Sequence, residues 1–327
     1  MFEINEEQPK LHASDPDTTD YFGYSVSLYG DTALIGAKGK DDNDKEGSGT
    51  VYVFTRSSPV GMFEINEEQP KLHASNPETD DYFGVSVSLY GNTALIGSHG
   101  RDDNNKTDSG SVYVFTRSST DGTFTELSTK LRASNSEADY HFGESVSLYG
   151  DTALIGATYD DDNGKSMSGS VYVFTRSSTD GTFTERSKLH ASNAAVWDRF
   201  GISVSLYGNT ALIGAPHDDY DNDKTDSGSV YVFTRSSTDG TFTELSTKLH
   251  TSNPEAGYHF GESVSLYGDT ALIGATYDDD NGKSKSGSVY VFTRSSTDGT
   301  FTERSKLHAS NAAGWDRFGI SVSLYGN

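Results

Sequence analysis

Ser203-Val204-Ser205-Leu206-Tyr207 alternates small polar and apolar residues with a period of two, the pattern of a half-buried strand. Gly208-Asn209 supplies a two-residue hairpin turn, and Thr210-Ala211-Leu212-Ile213-Gly214 follows as a fully apolar second strand. Beyond a polar loop, Val230-Tyr231-Val232-Phe233-Thr234 is β-branched and aromatic, the strongest strand signal of the stretch. Asp239-Gly240 makes another hairpin turn, and Phe242-Thr243-Glu244 through Lys248-Leu249-His250 reads as a fourth, weaker strand. No run shows the 3.6-residue periodicity of an amphipathic helix.

The same pattern recurs. Phe-Gly-x-Ser-Val-Ser-Leu-Tyr-Gly begins at Phe22, Phe83, Phe142, Phe200, Phe260 and Phe318, in steps of 61, 59, 58, 60 and 58 residues. Four antiparallel strands in about 60 residues fit a propeller blade, whereas leucine-rich and hexapeptide solenoids repeat over much shorter periods. A tandem array of small β-sandwich-like units is the competing arrangement, but each unit would have a marginal core. The expected fold is all-β: a single β-propeller domain over 1–327, built of four-stranded antiparallel blades. Five full repeats are expected, plus an incomplete sixth blade split between the termini. In that reading 1–21 is a terminal fourth strand and 318–327 a first strand that stops within a hairpin turn at Gly326-Asn327. Either the ring closes with five blades and spare end strands, or the chain is a piece of a longer propeller. Residues 141–209 recur at 259–327 with only Met167 against Lys285 and Val196 against Gly314 changed, the mark of recent duplication.

Composition narrows the partners. Lys+Arg 25 against Asp+Glu 48 gives a net charge of −23, which disfavours nucleic acid and anionic membranes and favours cations or basic partners. No stretch approaches the roughly 20 apolar residues of a membrane-spanning helix, so no membrane insertion is expected. Cysteine is absent, which excludes disulfides. Residues 1–14 repeat 62–75 residue for residue and lack a basic region and apolar signal core, so the chain opens in mid-repeat.

Phe200-Gly201, the Ser-Val-Ser strand and Gly214-Ala215-Pro216 together resemble an FG-GAP repeat, the unit of the β-propeller at the N-terminus of integrin α subunits and of many extracellular repeat proteins. The Phe-Gly half stands in all six copies. The second half reads Gly36-Ala37-Lys38, Gly97-Ser98-His99, Gly156-Ala157-Thr158 and Gly274-Ala275-Thr276 elsewhere. The resemblance implies adhesion or ligand binding rather than catalysis, and an extracellular or cell-surface location. Integrin-type calcium blades carry an Asp-x-Asp-x-Asp-Gly loop between their first two strands. Here that loop is two residues, as at Gly30-Asp31 or Gly208-Asn209, too short to wrap an ion that takes six to eight oxygens. The family's calcium residues have no counterparts here.

In a four-stranded blade the second-to-third loops and the connectors between blades emerge on one face. The loops 38–48, 99–109, 158–168, 216–227 and 276–286 hold 18 acidic and 9 basic residues. The connectors 15–21, 76–82, 135–141, 193–199, 253–259 and 311–317 hold 11 acidic and 2 basic. Most of the net charge is therefore expected on one rim. Three readings compete for it: solvation that keeps a strand-rich surface apart, cation binding, and capture of a protein or carbohydrate ligand. For a cation, calcium first, the candidates are Asp219, Asp221, Asp223 and Asp226, alternate carboxylates of the kind a hard ion needs, then Asp42 and Asp44 in the poorer Asp42-x-Asp44-x-Glu46. For a ligand, the candidates are Trp197 and Trp315, which could stack on a sugar or pack against a neighbouring blade, with Asp198 and Asp316 beside them.

Catalytic patterns are weak. Five of nine histidines (His12, His73, His190, His250, His308) follow Lys-Leu in the fourth strand, where Arg132 stands in the sixth copy, and read as outer-strand surface residues. There is no His-Glu-x-x-His, Gly-x-Ser-x-Gly elbow, phosphate-binding loop or thiol. The expected protein is a non-enzymatic binding propeller with an acidic loop face. The alternatives are a carbohydrate-active enzyme using rim carboxylates, or a structural repeat fragment with no ligand of its own. Missing strands at the ends leave open blade edges expected to self-associate.

Overall fold

The computed structural model describes residues 10–42, 44–56, 68–103, 105–162, 164–219, 224–279 and 282–325. They form no α-helix, hence none long and apolar enough to cross a membrane, and five four-stranded antiparallel sheets of the propeller-blade type. In every sheet the spatial order of the strands follows the chain. The residues gather into two compact units, Met1–Arg132 and Ala133–Asn327. The first unit holds blade 1 (Phe22–Tyr29, Thr32–Ala37, Thr50–Thr55, Glu68–Leu72) and blade 2 (Val87–Tyr90, Thr93–Ser98, Ser111–Arg117, Phe124–Glu126). The second holds blade 3 (Phe142–Tyr149, Thr152–Ala157, Ser170–Arg176, Phe183–Leu189), blade 4 (Ser203–Tyr207, Thr210–Ala215, Ser229–Arg235, Phe242–Glu244) and blade 5 (Phe260–Tyr267, Thr270–Ala275, Ser288–Arg294, Phe301–Leu307).

The hairpins follow the sequence pattern. Tyr207 pairs with Thr210 across Gly208-Asn209, with Gly208 at φ 59°. A positive φ at the first central residue alone is the arrangement of a type II′ turn, whose twist matches the strands it joins. The fourth strands differ for a reason visible in the chain. Blades 3 and 5 read Thr-Glu-Arg-Ser-Lys-Leu and pair through to Leu189 and Leu307, with Arg186 and Arg304 bulged out of register. Blades 2 and 4 read Thr-Glu-Leu-Ser-Thr-Lys-Leu, one residue longer, and the strand breaks after Glu126 or Glu244, resuming as isolated bridges at Leu131 and Leu249.

Each junction inside a unit is built from the same parts. Leu154, Val171, Val173 and Leu189 of blade 3 pack on Phe200, Ala211, Ile213, Tyr231 and Phe233 at blade 4, all essentially buried. Blades 4 and 5 repeat this with Leu212, Val230 and Val232 against Phe260, Ile273 and Tyr290, and blades 1 and 2 with Leu34, Val51 and Val53 against Phe83, Ile96 and Tyr113. In the five blades the Phe of Phe-Gly lies edge-on to the third-strand Tyr, at 5.3 Å for Phe200 and Tyr231. The two halves of the repeat motif touch across the junction: a Cβ on Gly214 would lie 2.0 Å from the carbonyl oxygen of Gly261, and one on Gly156 2.1 Å from that of Gly201. Ser145 and Ser203 donate their hydroxyls to those same Gly201 and Gly261 carbonyls at 2.7 and 2.8 Å. On the outer side a serine of the connector grips the fourth-strand Glu of the blade that follows. Ser192 binds Glu244 through N–H at 3.0 Å and hydroxyl at 2.9 Å, and Ser75, Ser134 and Ser252 grip Glu126, Glu185 and Glu303 likewise.

Within each unit the tyrosines that end the first strands lie side by side with their rings tilted. Ring centroids are 5.0 Å apart for Tyr149 and Tyr207, 4.7 Å for Tyr207 and Tyr267, and 5.1 Å for Tyr29 and Tyr90. Neither terminal segment forms a strand among the described residues, and the expected fourth strand at 1–21 lies partly outside them, as does the turn at Gly326-Asn327. The segment that follows Phe318 is nevertheless bonded to blade 5. The Leu324 N–H donates to Ser265 Oγ at 2.9 Å, as Leu206 does to Ser147 and Leu266 to Ser205. In blade 1 the first strand is open on one side: Val26 is 58% and Leu28 42% exposed, against 8% and 5% for Val87 and Leu89.

Candidate functional site

In blades 1, 3, 4 and 5 the second-to-third loop is hydrogen-bonded to the connector that leads onward. The Trp197 and Phe200 N–H groups donate to Ser166 and Ser168 at 3.0 and 2.9 Å; Gly257 and Phe260 donate to Thr225 and Ser227 at 2.8 and 3.0 Å. The two acid-rich sets of residues thus share one face within each unit. Many of their carboxylates have structural partners. Asp219 Oδ1 accepts the Asp226 N–H at 2.9 Å and closes its loop, as Asp41, Asp102, Asp161 and Asp279 do for Gly47, Asp108, Met167 and Lys285.

A second recurring group is buried. Asp160, Asp218 and Asp278 accept the hydroxyls of Tyr172, Tyr231 and Tyr290 at 2.6, 3.1 and 2.6 Å, and pair with Lys188, Lys248 and Lys306. In the first unit Lys40 and Arg101 stand where the acid would be, and each pairs at 3.1 Å with a connector acid, Asp20 or Asp81. The histidine that follows Lys-Leu is not a bare surface residue: His73 Nδ1 lies 2.9 Å from Asp42 Oδ2 and His190 Nδ1 3.5 Å from Asp162. Arg132 keeps the cation by pairing with Asp103.

Blade 4 breaks the charge matching. Asp198, on the connector, and Asp218, on the loop, are both buried acids. Asp198 accepts the Ala195 N–H at 2.6 Å, yet burial, with the added negative charge of Asp218 and Asp219, pushes its carboxyl up to about 6. The folded chain therefore holds this proton more tightly than the unfolded chain, where Asp titrates near 3.8. The stability so gained is present below about pH 4 and lost as pH rises through about 6. Asp198→Asn keeps an oxygen for the Ala195 amide and is expected to raise stability at pH 8 by about 1–2 kcal/mol, and to flatten its slope between about pH 4 and 6. Urea midpoints at pH 5 and pH 8 check this; a loss of equal size at both would contradict it.

The other sequence candidates fall in several places. Trp197 and Trp315 are 52% and 62% exposed on connectors, with Arg199 6.0 Å from the first ring and Lys285 4.4 Å from the second. Asp316 is exposed and accepts the Ala313 N–H at 2.7 Å. Asp42 faces His73, and Asp44 is exposed with φ 63°. Asp221 and Asp223 lie outside the described residues. Of the four loop acids in that set, Asp219 and Asp226 are brought together, through the backbone amide of Asp226.

Asp226 has a partner that carboxylate spacing does not point to. Its Oδ1 lies 2.8 Å from Nδ1 of His217, whose ring centroid is 4.5 Å from that of His259. One ligating atom from each of His217, Asp226 and His259 falls within 4.8 Å of the others. His259 is pushed down to about 4, by burial first and then by neighbouring positive charge from His217, Lys285 and Arg199, against the pull of Asp226. Glu262, 3.9 Å from His259 Nδ1, is pushed up by burial. A signal lay in the repeats: these columns read Tyr159, Met167, Arg199 in blade 3 and Tyr277, Lys285, Arg317 in blade 5.

With this geometry in place, five segments of the chain, residues 6–54, 67–115, 126–174, 183–233 and 244–292, match the FG-GAP repeat. The chain belongs to the FG-GAP repeat family. In three dimensions it is similar to a functionally unknown protein from Desulfotomaculum acetoxidans, at 11% identity over 91% of this chain and 74% of that one, TM-score 0.54. It is also similar to a Bacteroides uniformis protein described as a "putative 6-phosphogluconolactonase", at 9% identity over 90% and 86% of the two chains, TM-score 0.51. At such identities the likeness shows the fold alone. Among curated proteins no sequence match is found.

Proposed function

We propose that this FG-GAP protein is a non-enzymatic binding module that presents its acidic loop face to a protein or glycan ligand outside the cell or at its surface. The observation that carries the reading is the pair Trp197 and Trp315. Both indoles are more than half exposed, on connectors whose backbones are hydrogen-bonded to the acid-rich loops. An exposed aromatic plane among carboxylates offers stacking area to a sugar and charge complementarity to an amine or a lysine-rich segment. Many acids on this face also hold the loops in shape, which favours a fixed recognition surface over a mobile acid–base pair. The Leu324 bond to Ser265 supports the segment after Phe318 as the start of a further, incomplete blade. The open Val26 and Leu28 support self-association through a blade edge. Calcium is the cofactor to test beside the ligand, through a rise in melting temperature at millimolar concentration.

The test is a binding panel of neutral glycans, amino-sugar oligomers and a lysine-rich peptide at low and high salt. Binding of at least one class is expected, weakened by salt if the ligand is cationic, and lost in Trp197→Ala/Trp315→Ala. Undiminished binding by that variant, or new reducing ends released from a polysaccharide by the intact protein, would overturn the reading.

A further inference from the structure

We propose that His217, Asp226 and His259 form a binding site for a borderline divalent cation, zinc above all. The site shares Asp226 with the carboxylates weighed for calcium but is centred on two imidazoles, and it goes beyond the ligand-binding reading. His217 and Asp226 begin and end the second-to-third loop of blade 4, and His259 ends the connector that is hydrogen-bonded to that loop, with the His259 N–H on the Asp226 carbonyl at 3.2 Å. The three groups are therefore fixed by one backbone frame. A tetrahedral zinc with bonds of about 2.0–2.1 Å holds its ligands roughly 3.3 Å apart. The ligating atoms here, 2.8 Å apart for His217 and Asp226 and none beyond 4.8 Å, need side-chain turns and no backbone movement to reach that spacing.

The donor set selects the ion. Two imidazoles and one carboxylate suit zinc and its first-row neighbours, while calcium and magnesium prefer an all-oxygen cage. Three protein ligands leave a fourth position open, so the ion could also take a ligand atom from a bound partner. Glu262, mostly buried beside Nδ1 of His259, is placed to orient that ring and leave its other nitrogen to the metal, the second layer common at such centres.

The sister blades give the independent argument. In blade 3 the equivalent positions place Arg199 5.1 Å from the Tyr159 ring, and in blade 5 Arg317 and Lys285 lie 4.6 and 4.8 Å from Tyr277. Stacked cation–aromatic sets thus hold the same corner in repeats that otherwise differ little. In blade 4 all three columns change together, to His, Asp and His. The positive φ values of Asp226 (53°) and His259 (55°) recur at Met167 (53°), Lys285 (53°), Arg199 (54°) and Arg317 (53°), so the corner accepts both sets of side chains without reshaping.

That equivalence supplies variants that should fold. His217→Tyr/His259→Arg transplants the sister residues. Protein stripped with a chelator would be titrated with zinc chloride by calorimetry, and with cobalt chloride by visible absorption. The intact chain is expected to bind one zinc more than the double variant and to show tetrahedral cobalt absorption that the variant lacks. Glu262→Gln is expected to keep the stoichiometry and weaken affinity roughly 10–100-fold. Equal zinc uptake by the intact chain and a double variant with unchanged circular dichroism would overturn the proposal, as would an intact chain that binds no zinc.

Discussion

Gly214→Ala is expected to destabilise the protein by at least about 3 kcal/mol, more than a methyl group usually costs in a strand. The added carbon would sit 2.0 Å from the carbonyl oxygen of Gly261 and 2.4 Å from the hydroxyl of Ser203. The serine can rotate, but the carbonyl belongs to the backbone of the next blade and is also the acceptor of that hydroxyl. Relief requires blades 4 and 5 to separate, which opens the shared core of Leu212, Val230, Phe260 and Ile273. Gly208→Ala is the control. Its φ of 59° makes alanine costly by about 1–2 kcal/mol, but nothing lies within 4 Å of the new carbon. Thermal unfolding of the two variants should rank them clearly, and a Gly214→Ala protein melting with the parent would refute the contact.

Phe200→Ala is the second large effect, a loss of about 3–5 kcal/mol. The ring is fully buried, edge-on to Tyr231 at 5.3 Å and Phe233 at 6.1 Å, and touches side chains from both blades of the junction. The chain carries its own comparison in Phe318, the same motif position, which is 37% exposed. Phe318→Ala is expected to cost under about 1.5 kcal/mol. Similar losses at the two positions would mean that the ring acts within its own turn and not across the junction.

The fold was legible because its signals are local and repeated: alternation in Ser203–Tyr207, apolar Thr210–Ala215, turn pairs such as Gly208-Asn209 and Asp239-Gly240. The broken fourth strand of blades 2 and 4 was less so, because one added residue before Lys248 changes the pairing of a stretch whose alternation is weak in every copy. The candidate site was harder. Spacing along the chain points to the Asp219 and Asp226 carboxylates, but the amide that Asp219 accepts and the histidine that Asp226 faces are set by the fold. His259 stands 42 residues from His217, and its approach depends on the connector bonding back to the previous blade. Asp198 lay beside the exposed Trp197 in sequence, but the chain reverses there, with Trp197 at φ 74°, and buries the acid while leaving the indole outside.

The serine–glutamate grip on the outer side of the blades has an evolutionary reading. Ser192 and Glu244 lie 52 residues apart, and Ser75–Glu126, Ser134–Glu185 and Ser252–Glu303 51, so each repeat encodes both the hook that follows its fourth strand and the eye that receives its predecessor's. Recombination between near-identical stretches of the gene can then add or delete a whole module, and every seam that results is of a kind the protein already uses.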